Sequence, residues 1–207
     1  MASATAPARG PFEFPREYNF PPFFTRQQNL TTLHAQLTKW SSLILAYCQH
    51  HRIFKLHLSP ASSSSTTATT STEAVATAPG AAPNTEELFY NKRLGRRLAV
   101  ADVREVLGFM RRDGRAEYVG GGGGGDVVWI YWRTPEEWAA LVEGWVEETA
   151  QKGTVLTLYE LTQGENTRGT EFYGLDPELL QKALAILVKR GKAQIFGQED
   201  SQGVKFF

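Results

Sequence analysis

The chain of 207 residues repeats itself, and that repeat narrows the folds open to it more than any other feature. Leu98, Val103, Val106, Leu107, Met110, Gly114, Arg115 and Ala116 correspond to Leu175, Leu180, Ala183, Leu184, Leu187, Gly191, Lys192 and Ala193 at one constant offset (191 − 114 = 77). In both copies the apolar residues recur at helical spacing, and a glycine follows where a left-handed residue ends a helix. The same helix-and-strand unit is therefore predicted twice, in a chain long enough for two modest cores.

The segments around each copy extend this reading. From Asn29, an N-cap residue type, Leu30, Leu33, Leu37, Trp40, Ile44 and Tyr47 mark one buried helical stripe that ends near His51. Residues 53–58 alternate as a strand, and residues 59–84 are a Ser/Thr/Ala/Pro tract too poor in apolar side chains to order itself, predicted as a disordered loop insertion. Residues 86–91 predict a short helix, and Val100 to Met110 a longer one stopped by Gly114. Residues 115–119 and 126–132 predict strands joined by six glycines, Gly120 to Gly125.

A second unit opens at Thr134-Pro135-Glu136-Glu137, a capping box with proline at N1, and carries Trp138, Leu141, Val142 and Trp145 on one face. Residues 155–158 predict a strand and 159–162 a short helix. Asp176-Pro177 starts the repeated helix, and residues 192–196 and 204–207 pair as strands. Extra residues fall in two places, the 59–84 tract of the first copy and a longer acidic connection in the second, both where such units tolerate them, on exposed loops. The fold class predicted is α+β: two tandem winged-helix domains, residues 29–133 and 134–207, preceded by an extended proline/aromatic arm at residues 1–28.

Composition removes several function classes. Lys and Arg total 22 and Asp and Glu total 22, so there is no chain-wide field to draw the protein to nucleic acid or anionic lipid. A lone Cys48 excludes an internal disulfide, and no Cys/His spacing suits zinc, which fits a reducing, cytoplasmic setting. The first residues lack the basic start and apolar run of a secretory signal, Ala2 is not a myristoylation glycine, and no run approaches the ~20 apolar residues of a membrane span.

No catalytic residue, metal site or cofactor is predicted. Cys48 lies beside the buried face of the first helix, where a cysteine acts as a small apolar residue, and His50 and His51 suit the helix C-terminal dipole. The glycine run lacks a following Lys-Ser/Thr and leads into a strand, unlike a phosphate loop. Glu136 and Glu137 belong to a helix start, and Glu147, Glu148, Glu160 and Glu165 read as solvated faces with no base or nucleophile beside them.

Two surfaces have the composition of binding sites. The arm places Phe14, Tyr18, Phe20, Phe23 and Phe24 among Pro15, Pro21 and Pro22, where proline limits the ordering entropy and rings supply anchors; the other reading is that the arm folds back on its own first domain. Charge, moreover, is divided: residues 91–115 carry eight bases against three acids, a net of +5, and residues 134–207 carry seven bases against twelve acids, a net of −5. A basic helix in a winged-helix unit admits DNA or lipid contact through Arg104, Arg111, Arg112 and Arg115, a reading opposed by the acidic second domain.

Phe20-Pro21-Pro22-Phe23-Phe24-Thr25, Trp132-Arg133 before Pro135-Glu136-Glu137-Trp138, Leu158-Tyr159-Glu160-Leu161-Thr162 and the ending Gly203-Val204-Lys205-Phe206-Phe207 resemble the vacuolar-protein-sorting-associated protein 25 family of the ESCRT-II endosomal sorting complex. The resemblance spans nearly the whole chain from Phe12. It implies a non-catalytic subunit present in two copies, joined to the proteins numbered 22 and 36 of the sorting series. The joining motif maps on Phe20, Pro21, Pro22, Phe23 and Phe24, with a degenerate copy at Phe14, Pro15 and Tyr18 in which Arg16 replaces the second proline. It further implies that the second domain engages the ESCRT-III subunit numbered 20, and that the complex is recruited peripherally to endosomes to sort ubiquitinated cargo into multivesicular bodies.

Overall fold

The computed structural model describes residues 10–58, 85–121, 125–197 and 202–207. The predicted insertion at 59–84, the first nine residues and part of the glycine turn lie outside the described residues. Two compact units emerge, one over Gly10–Trp132 and one over Arg133–Phe207.

The first unit opens with two 3-10 turns, Arg16–Asn19 and Pro21–Phe24, where the sequence predicted an extended arm. The Tyr18 amide donates to the Pro15 carbonyl at 3.0 Å and the Phe23 amide to the Phe20 carbonyl at 2.9 Å, closing both turns. Helix α1 (Leu30–His51) starts at Asn29, whose side-chain oxygen accepts from the amides of Thr31 at 2.9 Å and Thr32 at 3.2 Å. Its apolar stripe is buried as predicted except for Leu30, which is 80 % exposed. By helical geometry Leu30 lies at the stripe's edge, about 60° from its centre, and in the first turn nothing covers it.

Beyond α1 come β1 (Lys55–His57), α2 (Glu86–Phe89), a ribbon of β2 (Tyr90–Asn91) and β3 (Arg96–Arg97), α3 (Val100–Arg112), β4 (Ala116–Tyr118) and β5 (Val127–Ile130). Strands β1, β5 and β4 form an antiparallel sheet in that order, with Leu56 opposite Val128 and Ala116 opposite Ile130. The helix predicted over 86–91 ends at Phe89, and Tyr90–Asn91 instead pair with Arg96–Arg97, because strands of two residues carry no alternation to read.

The second unit comprises α4 (Pro135–Glu148), β6 (Val155–Thr157), α5 (Leu158–Gln163), α6 (Pro177–Lys189), β7 (Ala193–Phe196) and β8 (Gly203–Phe206), the strands ordered β6-β8-β7 and antiparallel. The capping box forms as its sequence requires: the Thr134 amide donates to the Glu137 carboxylate at 2.7 Å and the Glu137 amide to the Thr134 hydroxyl at 3.3 Å. A second box, Thr157 with Glu160, draws Leu158 out of its predicted strand into the first turn of α5. The acidic connection is not wholly an exposed loop, for Phe172 is 2 % exposed and meets the Trp145 ring edge-on at 5.7 Å.

The repeat carries through to three dimensions. Helices α3 and α6 occupy the same 13 positions at the offset of 77, and each repeated apolar residue is buried in its own core. Gly114 (φ 68) and Gly191 (φ 70) take the left-handed conformation that only glycine adopts at low cost. After them the Arg115 amide donates to the Met110 carbonyl at 2.8 Å and the Lys192 amide to the Leu187 carbonyl at 2.9 Å, the same helix-ending bond in both units.

Candidate partner-binding site

The arm residues divide into a docked set and a displayed set. Phe23 stacks on Trp40 of α1 with ring centroids 4.4 Å apart and planes 3° from parallel, and Phe24 meets the same indole edge-on at 5.5 Å. Trp40 Nε1 donates to the Phe23 carbonyl at 2.9 Å, and Gln36 Nε2 donates to the carbonyls of Phe23 at 2.8 Å and Thr25 at 2.9 Å. Those bonds hold the backbone of the second turn in place without using the proline carbons. Phe14 stacks on Tyr18 at 4.1 Å, the Tyr18 hydroxyl donates to the Glu87 carbonyl, and Asn91 Nδ2 donates to the Tyr18 carbonyl at 2.7 Å. Burial, with the Glu87 charge second, pushes the Tyr18 hydroxyl up to about 12.

Tyr18, Phe23 and Phe24 are thus buried in their own unit and Phe14 is half-buried, whereas Pro15, Phe20, Pro21 and Pro22 face solvent. Phe20 is 60 % exposed, a large apolar ring on a turn whose neighbours are locked. A groove of about 410 Å³ runs along the arm between Phe12, Pro15 and Phe23 on one side and Lys39, Leu43 and Ala46 of α1 on the other. Such a rigid, proline-fixed display is the kind that loses little entropy on binding.

Of the basic residues singled out in the sequence, Arg104, Arg112 and Arg115 each meet a different neighbour. Arg104 stands 3.6 Å from Asp126, the Arg112 guanidinium lies 5.8 Å from the Phe109 ring centroid, and Arg115 donates to the Trp132 carbonyl at 3.4 Å. Arg111 is exposed. Elsewhere on α3, Glu105 holds Arg26 at 2.7 Å, an exchange that lowers the Glu105 carboxyl below its ordinary range. Sequence reasoning missed Gln36 and Asn91, both buried and both holding the arm; a polar residue near an apolar stripe gave no signal of what it would bind.

Cys48 is fully buried, and burial pushes its thiol up to about 12, away from the thiolate that nucleophilic chemistry needs. Among the described residues no cluster of His, Cys, Asp and Glu is placed to hold a metal ion, and no helix is long and apolar enough to cross a membrane. In the second unit Arg133 holds Glu171 at 2.6 Å, Lys152 holds Glu147 at 2.8 Å and Lys192 approaches Glu143 at 3.4 Å.

Comparison with known proteins gives concordant results. The model of the family described as ESCRT-II complex subunit matches residues 17–176. Vacuolar protein-sorting-associated protein 25 of Xenopus laevis is 36 % identical over 95 % of this chain and 99 % of its own length, and that of Homo sapiens is 39 % identical over 95 % and 98 %. The crystal structure of subunit VPS25 of the endosomal trafficking complex ESCRT-II superposes with a TM-score of 0.73 at 25 % identity, covering 92 % of this chain and 97 % of that one. A chain of the crystal structure of the endosomal complex ESCRT-II (VPS22/VPS25/VPS36) gives 0.72 at 25 % identity over 93 % and 98 %.

Proposed function

The chain belongs to the ESCRT-II complex subunit family, and from that premise we propose that it is a non-catalytic adaptor whose arm joins it to VPS22 and VPS36. The observation that carries this reading is Phe20: a ring 60 % exposed, on a turn with Pro21 and Pro22, held between aromatic neighbours that are buried. An exposed aromatic anchor on a pre-ordered turn is what a peptide-binding groove recognises. The docked half, Tyr18, Phe23 and Phe24, acts by positioning Phe20, Pro21 and Pro22.

The two units are read as tandem winged helices, residues 29–133 and 134–207, each a body of three helices and a three-stranded sheet on the same repeated core pattern, the first carrying the β2–β3 ribbon besides. The second, with its net charge of −5, recruits the ESCRT-III subunit numbered 20, whose recognition segment is expected to be basic. Two copies of the chain serve each complex, which reaches the endosome membrane peripherally and sorts ubiquitinated cargo into multivesicular bodies.

Co-purification with VPS22 and VPS36 tests the arm. A folded Phe20→Ala/Pro21→Ala variant is expected to drop out of the complex while its circular dichroism stays unchanged, because neither side chain supports the core. Retention at full stoichiometry would sink the reading.

A further inference from the structure

We infer that Lys92, Arg93 and Arg96, on the β2–β3 ribbon beside the arm, form a cationic flank of the assembly surface and demand a protein partner whose apolar groove is rimmed by carboxylates. This rests on the arm being the assembly anchor and adds the chemistry that selects its partner.

The ribbon and the arm are one built surface. Strand β3 packs against the Pro21–Phe24 turn, and Asn91 at the end of β2 donates to the Tyr18 carbonyl at 2.7 Å. The ribbon's own turn is fixed as well: the Leu94 amide donates to Asn91 Oδ1 at 3.1 Å, and Leu94 packs on the hydrophobic core. With Leu94 and Asn91 turned inward, Lys92, Arg93 and Arg96 are exposed.

Pairing separates these three from Arg97, Glu17 and Glu105. Arg97, their neighbour, holds Glu86 at 2.6 Å and lies over the Tyr90 ring at 4.8 Å. Glu17 on the arm is held by Lys39 at 2.7 Å, and Glu105 by Arg26 at 2.7 Å. Among the described residues, however, no carboxylate lies within 4.0 Å of Lys92, Arg93 or Arg96. Three unneutralised cations on a stiff turn repel one another, and a carboxylate-rimmed partner relieves that repulsion as it closes on Phe20.

Other partners fit less well. Three cations and one exposed ring are too few to hold a chain of this size on a bilayer. Nor does a turn of this length track the phosphates of a nucleic acid, while Phe20 beside it calls for an apolar recess.

The test is surface plasmon resonance of the full chain on immobilised VPS22/VPS36, at about 0.01 M and about 0.1 M salt, where the screening length shrinks from about 30 to about 10 Å. Lys92→Gln/Arg93→Gln/Arg96→Gln is expected to slow association about tenfold at the lower salt, to flatten the salt dependence and to leave dissociation nearly unchanged. Phe20→Ala is expected to speed dissociation. If Phe20→Ala weakens binding but the glutamine variant associates like the parent, the ribbon plays no part and only this inference falls. If Phe20→Ala has no effect, the arm reading falls and takes the composite surface with it. Sedimentation of the full chain with phosphatidylserine vesicles, lost in the glutamine variant, would overturn the inference in favour of a lipid surface.

Discussion

The two units are built on one core and differ in what surrounds it. Helices α3 and α6 and the glycines that end them are matched position for position, and the strands that follow start at matched positions, so the same local pattern folds in the same way twice. The leading helices differ: α1 has 22 residues and α4 has 14. The longer α1 carries Gln36 and Trp40, which dock the arm, whereas α4 begins sharply at its capping box. The repeat thus supplies stability to both units, while features outside it give the first unit its Phe20 display and basic ribbon and give the second its acidic surface.

Substitution of the buried tryptophans should separate stability from display most strongly. Trp40→Ala and Trp138→Ala each remove a side chain at most 1 % exposed and should each cost about 3–5 kcal/mol in urea denaturation. Trp40→Ala alone should also free the arm, seen as faster proteolysis beside Phe23. An arm that stays protected would break the comparison.

Leu107→Ala and Leu184→Ala probe the shared core, since both are fully buried at equivalent positions. Each should cost about 2–5 kcal/mol, and the two should agree within about 1 kcal/mol if the cores relax alike. A larger gap would show that the matched pattern hides different packing.

Gly114→Ala and Gly191→Ala isolate the backbone. An added Cβ at either position meets nothing within 4 Å, so each loss should come from the positive φ alone, about 1 kcal/mol, and should be equal in thermal melts.

The smallest effect at neutral pH comes from Tyr18. Its folded value is raised from 10 to about 12, so it withholds no stability below pH 10, and its contribution is lost as pH climbs from about 10 through about 12. Spectroscopic titration against Tyr18→Phe should show arm release in that alkaline window for the parent and a weaker response in the variant.

How far the sequence could be read depended on the distance between partners. The caps at Asn29, Thr134 and Asp176 were legible because each acceptor lies within three residues of its amide, and the stripes of α1, α3 and α6 because a helix writes its buried face in its own spacing. The arm motif was legible as composition, but its division into docked and displayed residues was not. Phe23 and Phe20 are the same residue type three positions apart, and nothing local distinguishes the one that stacks on Trp40 from the one that faces water. Likewise Lys92, Arg93 and Arg97 look alike in a basic run until Glu86 is seen to hold Arg97.

By itself, then, the sequence determined the repeated apolar patterns, the capped starts of the long helices and the presence of a proline/aromatic arm, all written within a turn or two of chain. Only the tertiary structure decided where that arm lies. The bonds that hold it join Phe23 to Trp40 across 17 positions, Tyr18 to Glu87 across 69 and Asn91 to Tyr18 across 73. Contacts so distant form only after the core has brought their ends together, because loop-closure entropy opposes them until burial offsets it, and no local periodicity records them.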